Sequence, residues 1–457
     1  MEGLNRQEVM QIIDEKLRQL NLGNHYDIFC REHNPLDGTH KESEAIEPSS
    51  FDAPEIYVRD YGEGVGIGGD DTVAFQATFA DARAETYPPK VKISGHSVIT
   101  DTLGVTSGMT IEGSNQSIYS NVQAGADDKP DCLITFAPTS EKDLFYIHET
   151  NLGKGNYASN INISNLAIRG NSTGGVTYSR YALNLDMVAH SVFENLAISQ
   201  FMKGHYATQA MTNRFKNIHI AKCVDECFYY DTAAAASTSD VWEGCIFRDT
   251  ALGGKIILGY GITFNSCLFE TLAGGVRIYR ECGEIAFNDT YVENVPTATD
   301  GFMWNMGNDG TINWDGNNLT ICGGFQLGRD AAYGGKTGTW IDINHCSGVK
   351  IIGPHIHKYV NGIACNDTAN TPDNAVYVSG PSFYDVTNLY YQMAGKMWGN
   401  YPTGPLGGAI NPKTYGHNIQ MVGLAIYANN AAAIAGGLVA GDFYRTNANP
   451  DTVCVVH

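Results

Sequence analysis

Phe193-Glu-Asn-Leu-Ala-Ile198, Phe215-Lys-Asn-Ile-His-Ile220, Trp242-Glu-Gly-Cys-Ile-Phe247, Phe264-Asn-Ser-Cys-Leu-Phe269 and Phe287-Asn-Asp-Thr-Tyr-Val292 are five versions of one phrase. Their first residues are separated by 22, 27, 22 and 23 positions. Each phrase supplies an aromatic residue, a polar residue, a small turn former and then alternating apolar positions. That is period-2 patterning broken by one bend, which suits two short strands and not a helix. Recurrence every 20 to 30 residues marks a solenoid, in which each repeat buries its apolar face against the next. The pattern places Phe193, Leu196 and Ile198 inward and Glu194, Ala197 and Ser199 outward. The fold class read from it is all-β: a right-handed parallel β-helix with one phrase per rung.

Composition agrees. The chain has 457 residues, 51 of them glycine and 25 tyrosine, and 17% are charged. Such a length buries a large core, and this glycine content suits many short strands joined by turns. The formal net charge of −20 argues against a nucleic-acid partner, which needs a basic face, and against an anionic membrane surface. No apolar run reaches membrane-spanning length. Met1 is followed by a charged amphipathic stretch with no apolar core of a secretory signal. The eleven cysteines show no metal-finger rhythm. Cys245 and Cys267 hold the place of Leu196 and Ile218 in their phrases and read as small apolar core residues. Reduced thiols fit synthesis in a cytosol. No cofactor or metal is expected; His33-Asn-Pro-Leu-Asp-Gly-Thr-His40 reads as a solvated turn.

Outward from the solenoid, three regions follow. Residues 1–54 hold a short helix, with Met10, Ile13, Leu17 and Leu20 in the a/d rhythm of a coiled coil, and a polar neck carrying Pro35, Pro48 and Pro54. Residues 55–395 form the β-helix. They open with Ile56-Tyr-Val-Arg-Asp-Tyr-Gly62, a glycine-rich loop ending Gly68-Gly-Asp-Asp-Thr72, and an amphipathic helix capped by Asp71 or Thr72. The rhythm loosens over 295–340, where Trp304, Trp314 and Trp340 sit among Gly and Asn in what reads as longer loops. Residues 396–457 change character and form a small C-terminal β domain that covers the open end of the solenoid.

The strand, loop and helix of residues 56–84 resemble the entry motif of the pectate-lyase-like superfamily, in which a helix caps the β-helix. About the last thirty residues, including Ala425-Ile-Tyr-Ala-Asn-Asn430 and Gly441-Asp-Phe-Tyr-Arg-Thr446, resemble the C-terminal segment of phage tail-fibre and tailspike proteins. Together with the N-terminal helix, the whole resembles a bacteriophage tailspike. That resemblance implies a homotrimer, a place in the phage tail after synthesis in the host cytoplasm, attachment to a tail or baseplate protein through the N-terminal region, and a bacterial surface polysaccharide, capsule or O-antigen, that is bound or cleaved at host adsorption.

Candidate chemistry lies where phrases extend past their apolar end. Cys267-Leu-Phe-Glu270 and Thr290-Tyr-Val-Glu293 end on the same residue, and Arg248 precedes them in that column. Adjacent rungs lie about 4.8 Å apart, near the roughly 5–5.5 Å between the carboxyl groups of retaining glycosidases. Two carboxylates that close raise one another's pKa, so one serves as general acid and the other as base or nucleophile. Arg248 favours the charged form of Glu270, which leaves Glu293 as the acid. Tyr291 shares the outward strand and can line a sugar subsite. Glu281, Glu284 and Asp289, with Glu243 and Asp249 on the previous rung, offer alternative pairs within or between subunits, and Asp309 and Asp315 come next. Trp304, Trp314, Tyr229 and Tyr230 are candidate stacking faces, whereas Trp242, aligned with Phe193, reads as core. Equally, an outward Arg–Glu–Glu column can be a solvated charge ladder. The polygalacturonase-like set of acidic and His motifs is missing, and a uronate lyase wants a positive groove that this acidic balance does not promise. Three functions compete: a glycoside hydrolase, a non-catalytic glycan-binding appendage, and a structural virion fibre.

Overall fold

The computed structural model describes residues 54–62, 65, 67–85, 88–114, 132–148, 157–173, 175, 177–231, 236–279, 282–296, 301–306, 319–328, 337–343, 348–365, 375–391, 396–400, 426–439, 443–446 and 453–455. The heptads of residues 4–22, the neck up to Ala53, Glu281, Asp309, Trp314 and Asp315 lie outside these residues.

Two long parallel sheets of 22 and 11 strands dominate the described chain. Each repeat pairs with the next in strict register, so the chain is a parallel β-helix. Phe193 pairs with Phe215, Phe215 with Trp242, Trp242 with Phe264 and Phe264 with Phe287. The five phrases are therefore five consecutive rungs, as their spacing requires.

The turn former of each phrase makes the bend within the larger sheet. Asn195, Asn217, Gly244, Ser266 and Asp289 adopt φ of 52°, 50°, 62°, 50° and 49°, the left-handed region that Asn, Asp and Gly enter at least cost. Asn217 donates its side-chain amide to Asn195 at 3.3 Å, and Asn195 to Asn165 at 3.1 Å. This amide ladder binds the bends of successive rungs. A second left-handed column, with Gln200, Lys222, Asp249, Thr271 and Asn294 at φ of 61°, 53°, 52°, 53° and 54°, turns the chain from the larger sheet toward the smaller one.

Inside, the first residues of the phrases stack. Ring centroids are 5.1 Å apart for Phe193–Phe215, 4.0 Å for Phe215–Trp242 and 4.7 Å for Phe264–Phe287. Each such pair adds roughly 0.5–1.5 kcal/mol beyond the area it buries. Cys245 and Cys267 are buried free thiols in this core. Burial and the neighbouring Cys245 sulfur push the Cys267 thiol up, which suits an inert packing residue. Glu194 and Ser199 are half-exposed as expected, but outward-facing Ala197 is buried beside Ala167 and Leu133. A methyl side chain does not rise above the longer groups flanking it on the sheet.

Thr72–Ala84 is the expected helix. Phe75 and Phe79 are fully buried, and Phe79 packs on Phe145 of the smaller sheet at 6.4 Å, so the helix closes the solenoid interior at this end. Asp71 stands at the N-cap as expected but makes no side-chain capping hydrogen bond; Asp70 beside it does. The Asp70 carboxylate accepts from the backbone N–H and hydroxyl of Thr72 at 3.1 and 2.6 Å, and these bonds hold it below the usual carboxylate range. A strand at Lys396–Asn400 still pairs in parallel with Ala375–Ser379. Beyond it, the described residues contain a helix at Asn430–Ala435 and an antiparallel pair, Phe443–Arg445 with Val453–Val455.

Two tryptophans expected in loops are core. Trp304 lies on strand Phe302–Met306 and Trp340 on Thr337–Ile343, both fully buried. Trp304, in the smaller-sheet column of Val276, packs across the core on Phe287 at 4.2 Å, while the ladder column itself continues from Phe287 to Ile321. It is not a sugar-stacking face. Tyr230 is likewise buried.

Candidate functional site

The carboxylate column forms as its register predicts. Arg248 pairs with Glu270 and Glu270 with Glu293, all three half-buried at the corner between the two sheets. Arg248 Nη1 lies 3.4 Å from Glu270 and its Nε 3.0 Å from Asp249. Glu293 accepts from the Tyr291 hydroxyl. Burial pushes the Glu270 carboxyl up, Arg248 pulls it down, and Glu293 and Asp249 push it up again. Burial outweighs Arg248. The group pushed toward its neutral form is thus Glu270, whereas the sequence pointed to Glu293 as the acid.

The alternative carboxylates serve the backbone bends. Asp289 stands at the bend of its rung and Glu284 at another left-handed position, φ 55°. Asp249 occupies the second left-handed column and is the acceptor for Arg248. Glu243 is exposed in a column with Lys216 and Asn265.

A different place carries the most elaborate polar and aromatic surface. A cleft of about 550 Å³ opens on the outer face of the smaller sheet, lined by Asp101, Glu141, Lys142, Asp143, Tyr146, Arg180, Tyr181, Asn184, Asp186, Tyr206 and Thr208, with Thr102. Its rungs are Phe145–Ile147, Tyr181–Asp186 and Lys203–Thr208. The rings of Tyr181 and Tyr206 stack 4.3 Å apart and 5° from parallel. The Tyr206 hydroxyl donates to Asp231 at 2.8 Å. Asp186 accepts from Tyr146 at 3.2 Å and Thr208 at 3.0 Å. Asp143, nearly buried, is held by a two-pronged Arg180 at 2.7 and 2.7 Å and by Asn184 at 2.6 Å. Lys142 holds Asp101 at 2.6 Å and keeps its carboxyl below the usual range. Burial pushes the Tyr146, Tyr181 and Tyr206 hydroxyls up, with Asp186 adding to it at Tyr146 and Asp231 at Tyr206, so the three phenols stay neutral donors. The Tyr181 ring lies between Tyr206 and the Arg180 guanidinium, 4.7 Å from its centre, and Tyr206 between Tyr181 and Tyr229. The cleft thus presents a fixed aromatic stack with oriented carboxylates and phenols beside it, polar partners suited to a hydroxyl-rich ligand.

The sequence carried a signal for this cleft in a second phrase. Tyr181-Ala-Leu-Asn-Leu-Asp186, Lys203-Gly-His-Tyr-Ala-Thr208 and Glu226-Cys-Phe-Tyr-Tyr-Asp231 begin 22 and 23 residues apart, and their outward positions are Asn184, Tyr206 and Tyr229. Tyr229, expected to stack on sugar, is half-buried with the Lys203 and Lys255 ammonium groups 5.1 and 5.2 Å from its ring centre. Among the described residues no group of three or more His, Cys, Asp or Glu side chains is arranged to hold a metal ion.

No protein-family model matches the chain, and no curated protein matches it. Solved structures do. The gp42 tailspike of an Acinetobacter phage superposes with a TM-score of 0.56 at 11% identity, over 87% of this chain and 71% of that one. The Agl-KA catalytic domain gives 0.52 at 14%, over 76% and 68%. The pre-mature gene product 12 of bacteriophage phi29 gives 0.51 at 14%, over 75% of this chain and 48% of that one. At these identities the likeness is one of fold: the chain shares the parallel β-helix of phage tailspikes.

Proposed function

We propose that this chain is a phage tail protein, a tailspike, that recognises a bacterial surface polysaccharide along the outer face of its smaller sheet. The observation that carries this reading is the Tyr181–Tyr206 platform, walled by Asp186 and Asp231 in a cleft on a solenoid surface. Assembly as a homotrimer and attachment to the tail through residues 1–54 belong to the same proposal, as does placement in the virion. One of its fold relatives is a phage tailspike, which agrees with it.

A second reading, hydrolysis, is favoured by the Glu270–Glu293 pair. Two carboxylates in register on consecutive rungs, one driven toward its neutral form by burial, make an acid and a base or nucleophile. In this reading Glu270 protonates the leaving oxygen and Glu293, oriented by Tyr291, acts on the anomeric carbon or on a water beside it. The test is incubation with a panel of bacterial capsule and lipopolysaccharide glycans, reading released reducing ends, for the parent and a Glu270→Gln/Glu293→Gln variant. Release by the parent alone supports hydrolysis at this pair. Equal release moves the chemistry elsewhere. Binding without release leaves an adhesin and makes the column a charge ladder. A parent that neither binds nor releases any glycan contradicts the proposal.

A further inference from the structure

The outward column that begins in the cleft continues down the smaller sheet in register. Asn184 pairs with Tyr206, Tyr206 with Tyr229, Tyr229 with Lys255, and Lys255 with Arg277. The character of the surface changes along this line. The cleft end is rich in carboxylates, whereas three rungs further, about 14 Å at ordinary strand spacing, two cations stand on neighbouring rungs. In a chain of net charge −20 such a pair is unusual, because acidic partners are plentiful.

The other half-buried cations of this face have partners. Lys142 is paired with Asp101, Arg180 with Asp143, and Lys203 with Asp225 and Glu226. Lys255 and Arg277 form no ion pair with any described residue. What holds them is aromatic. The Lys255 ammonium sits 5.2 Å from the Tyr229 ring centre and 5.1 Å from that of Tyr279, and the Arg277 guanidinium lies 5.3 Å from that of Phe302. Cation–π contacts fix the position of a charge without neutralising it. The result is two half-buried cations, pre-positioned side by side, with no ion pair to any described residue.

We propose that Lys255 and Arg277 form a subsite for an anionic substituent, carboxylate or phosphate, on the glycan that lies in the tyrosine cleft. The inference rests on the cleft being a glycan site and goes beyond it by naming the substrate class: an acidic polysaccharide, engaged at one end by ring stacking and at the other by charge. A guanidinium fork offers two parallel N–H donors to a carboxylate or phosphate, and the adjacent ammonium adds a point charge. The overall acidic balance pointed away from acidic glycans, but net charge is a sum over the surface, and recognition is decided by the charges that line one groove.

The test is affinity electrophoresis through gels containing purified acidic capsular polysaccharides, each run beside its carboxyl-reduced and its dephosphorylated form. Parent, Lys255→Gln/Arg277→Gln, Lys255→Arg and Tyr206→Ala proteins are compared, with thermal melting as the folding control. The parent is expected to bind an acidic polymer and to lose about tenfold or more in affinity when the anion is removed, a change equivalent to one charge-assisted contact. Whichever treatment causes the loss identifies carboxylate or phosphate. The double glutamine variant is expected to show the same loss on the untreated polymer and none on the treated one, while Lys255→Arg binds as the parent does. Unchanged binding by the double glutamine variant, with Tyr206→Ala defective, overturns the subsite and leaves the cleft in place. A parent that retains only neutral polymers does the same. A parent that retains none, or variants that all bind as the parent does, overturns both.

Discussion

Tyr181 and Tyr206, on consecutive rungs of the smaller sheet, stack with centroids 4.3 Å apart, and the Tyr206 hydroxyl is tied to Asp231 at 2.8 Å. The two are not register partners: Tyr206 lies opposite Asn184 and Tyr181 opposite Lys203, so the rings meet across a diagonal of the sheet. Tyr206 is the outward residue of its rung, and Tyr181 opens the preceding one. The tie to Asp231 orients the ring; in the proposed site it is the ring that contacts the glycan. Tyr206→Phe keeps the face and loses one hydrogen bond, so affinity for a bound glycan should fall only about threefold. Titration of the variant against the parent by isothermal calorimetry checks this.

Glu270 carries the pH dependence of any hydrolysis. A general acid must be protonated to act, and burial raises this carboxyl above its ordinary value. Activity should therefore persist at pH values where an ordinary glutamate is ionised, and decline as pH rises through the raised value. Glu270→Gln should lower the rate by on the order of a hundredfold or more, with its alkaline decline abolished. A pH–rate profile of reducing-end release measures both.

Asp240 is fully buried and accepts from the Asn213 backbone N–H at 2.8 Å and from Tyr230 at 3.2 Å. Burial still pushes its carboxyl up to about 7, against about 3.9 in an unfolded chain. The folded protein thus holds an extra proton between those values. The stability Asp240 contributes is complete near about pH 4 and is lost as pH rises through about 7. Melting temperatures of Asp240→Asn and the parent should differ most near about pH 4.5 and converge toward about pH 7.5.

His205 has the opposite sign. It is fully buried among Phe215, Tyr230 and Trp242, with ring centres 4.9, 5.1 and 5.1 Å away, and burial drives it down to about 3. An unfolded chain binds the proton below about 6.5, so this group costs stability as pH falls from there. His205→Phe should gain on the parent in thermal melts as the medium is acidified from about pH 7 to about pH 4.5.

Trp242 is the central plate of the aromatic ladder, 4.0 Å from Phe215 and donating its indole N–H to Tyr230 at 2.9 Å. Trp242→Ala leaves a cavity and takes one of two hydrogen-bond partners from the Tyr230 hydroxyl, which still donates to Asp240 at 3.2 Å. It should cost roughly 3–5 kcal/mol, read as a fall in midpoint in chemical denaturation.

The solenoid was legible because the phrase repeats the physics of one rung: an inward aromatic, a left-handed bend and inward apolar residues. The register of Glu270 on Glu293 was legible for the same reason. Burial at the corner, which pushes the Glu270 carboxyl up, was not. Trp304 read as loop because glycine and asparagine surround it, although its strand adds a rung to the smaller sheet after Val276 and turns the indole into the core. The cleft was missed because its residues belong to a second phrase whose outward positions, Asn184, Tyr206 and Tyr229, vary in type while their spacing holds. Periodicity marks which way a side chain faces. It does not tell which outward column is covered, paired or open.

The measurement that tests the central claim most directly is equilibrium binding of the best-retained capsular or lipopolysaccharide glycan to the parent and to a Tyr181→Ala/Tyr206→Ala variant with an unchanged melting temperature. The account predicts a loss of about tenfold or more in the variant. Equal affinity in the two proteins would contradict it and remove the glycan from this cleft.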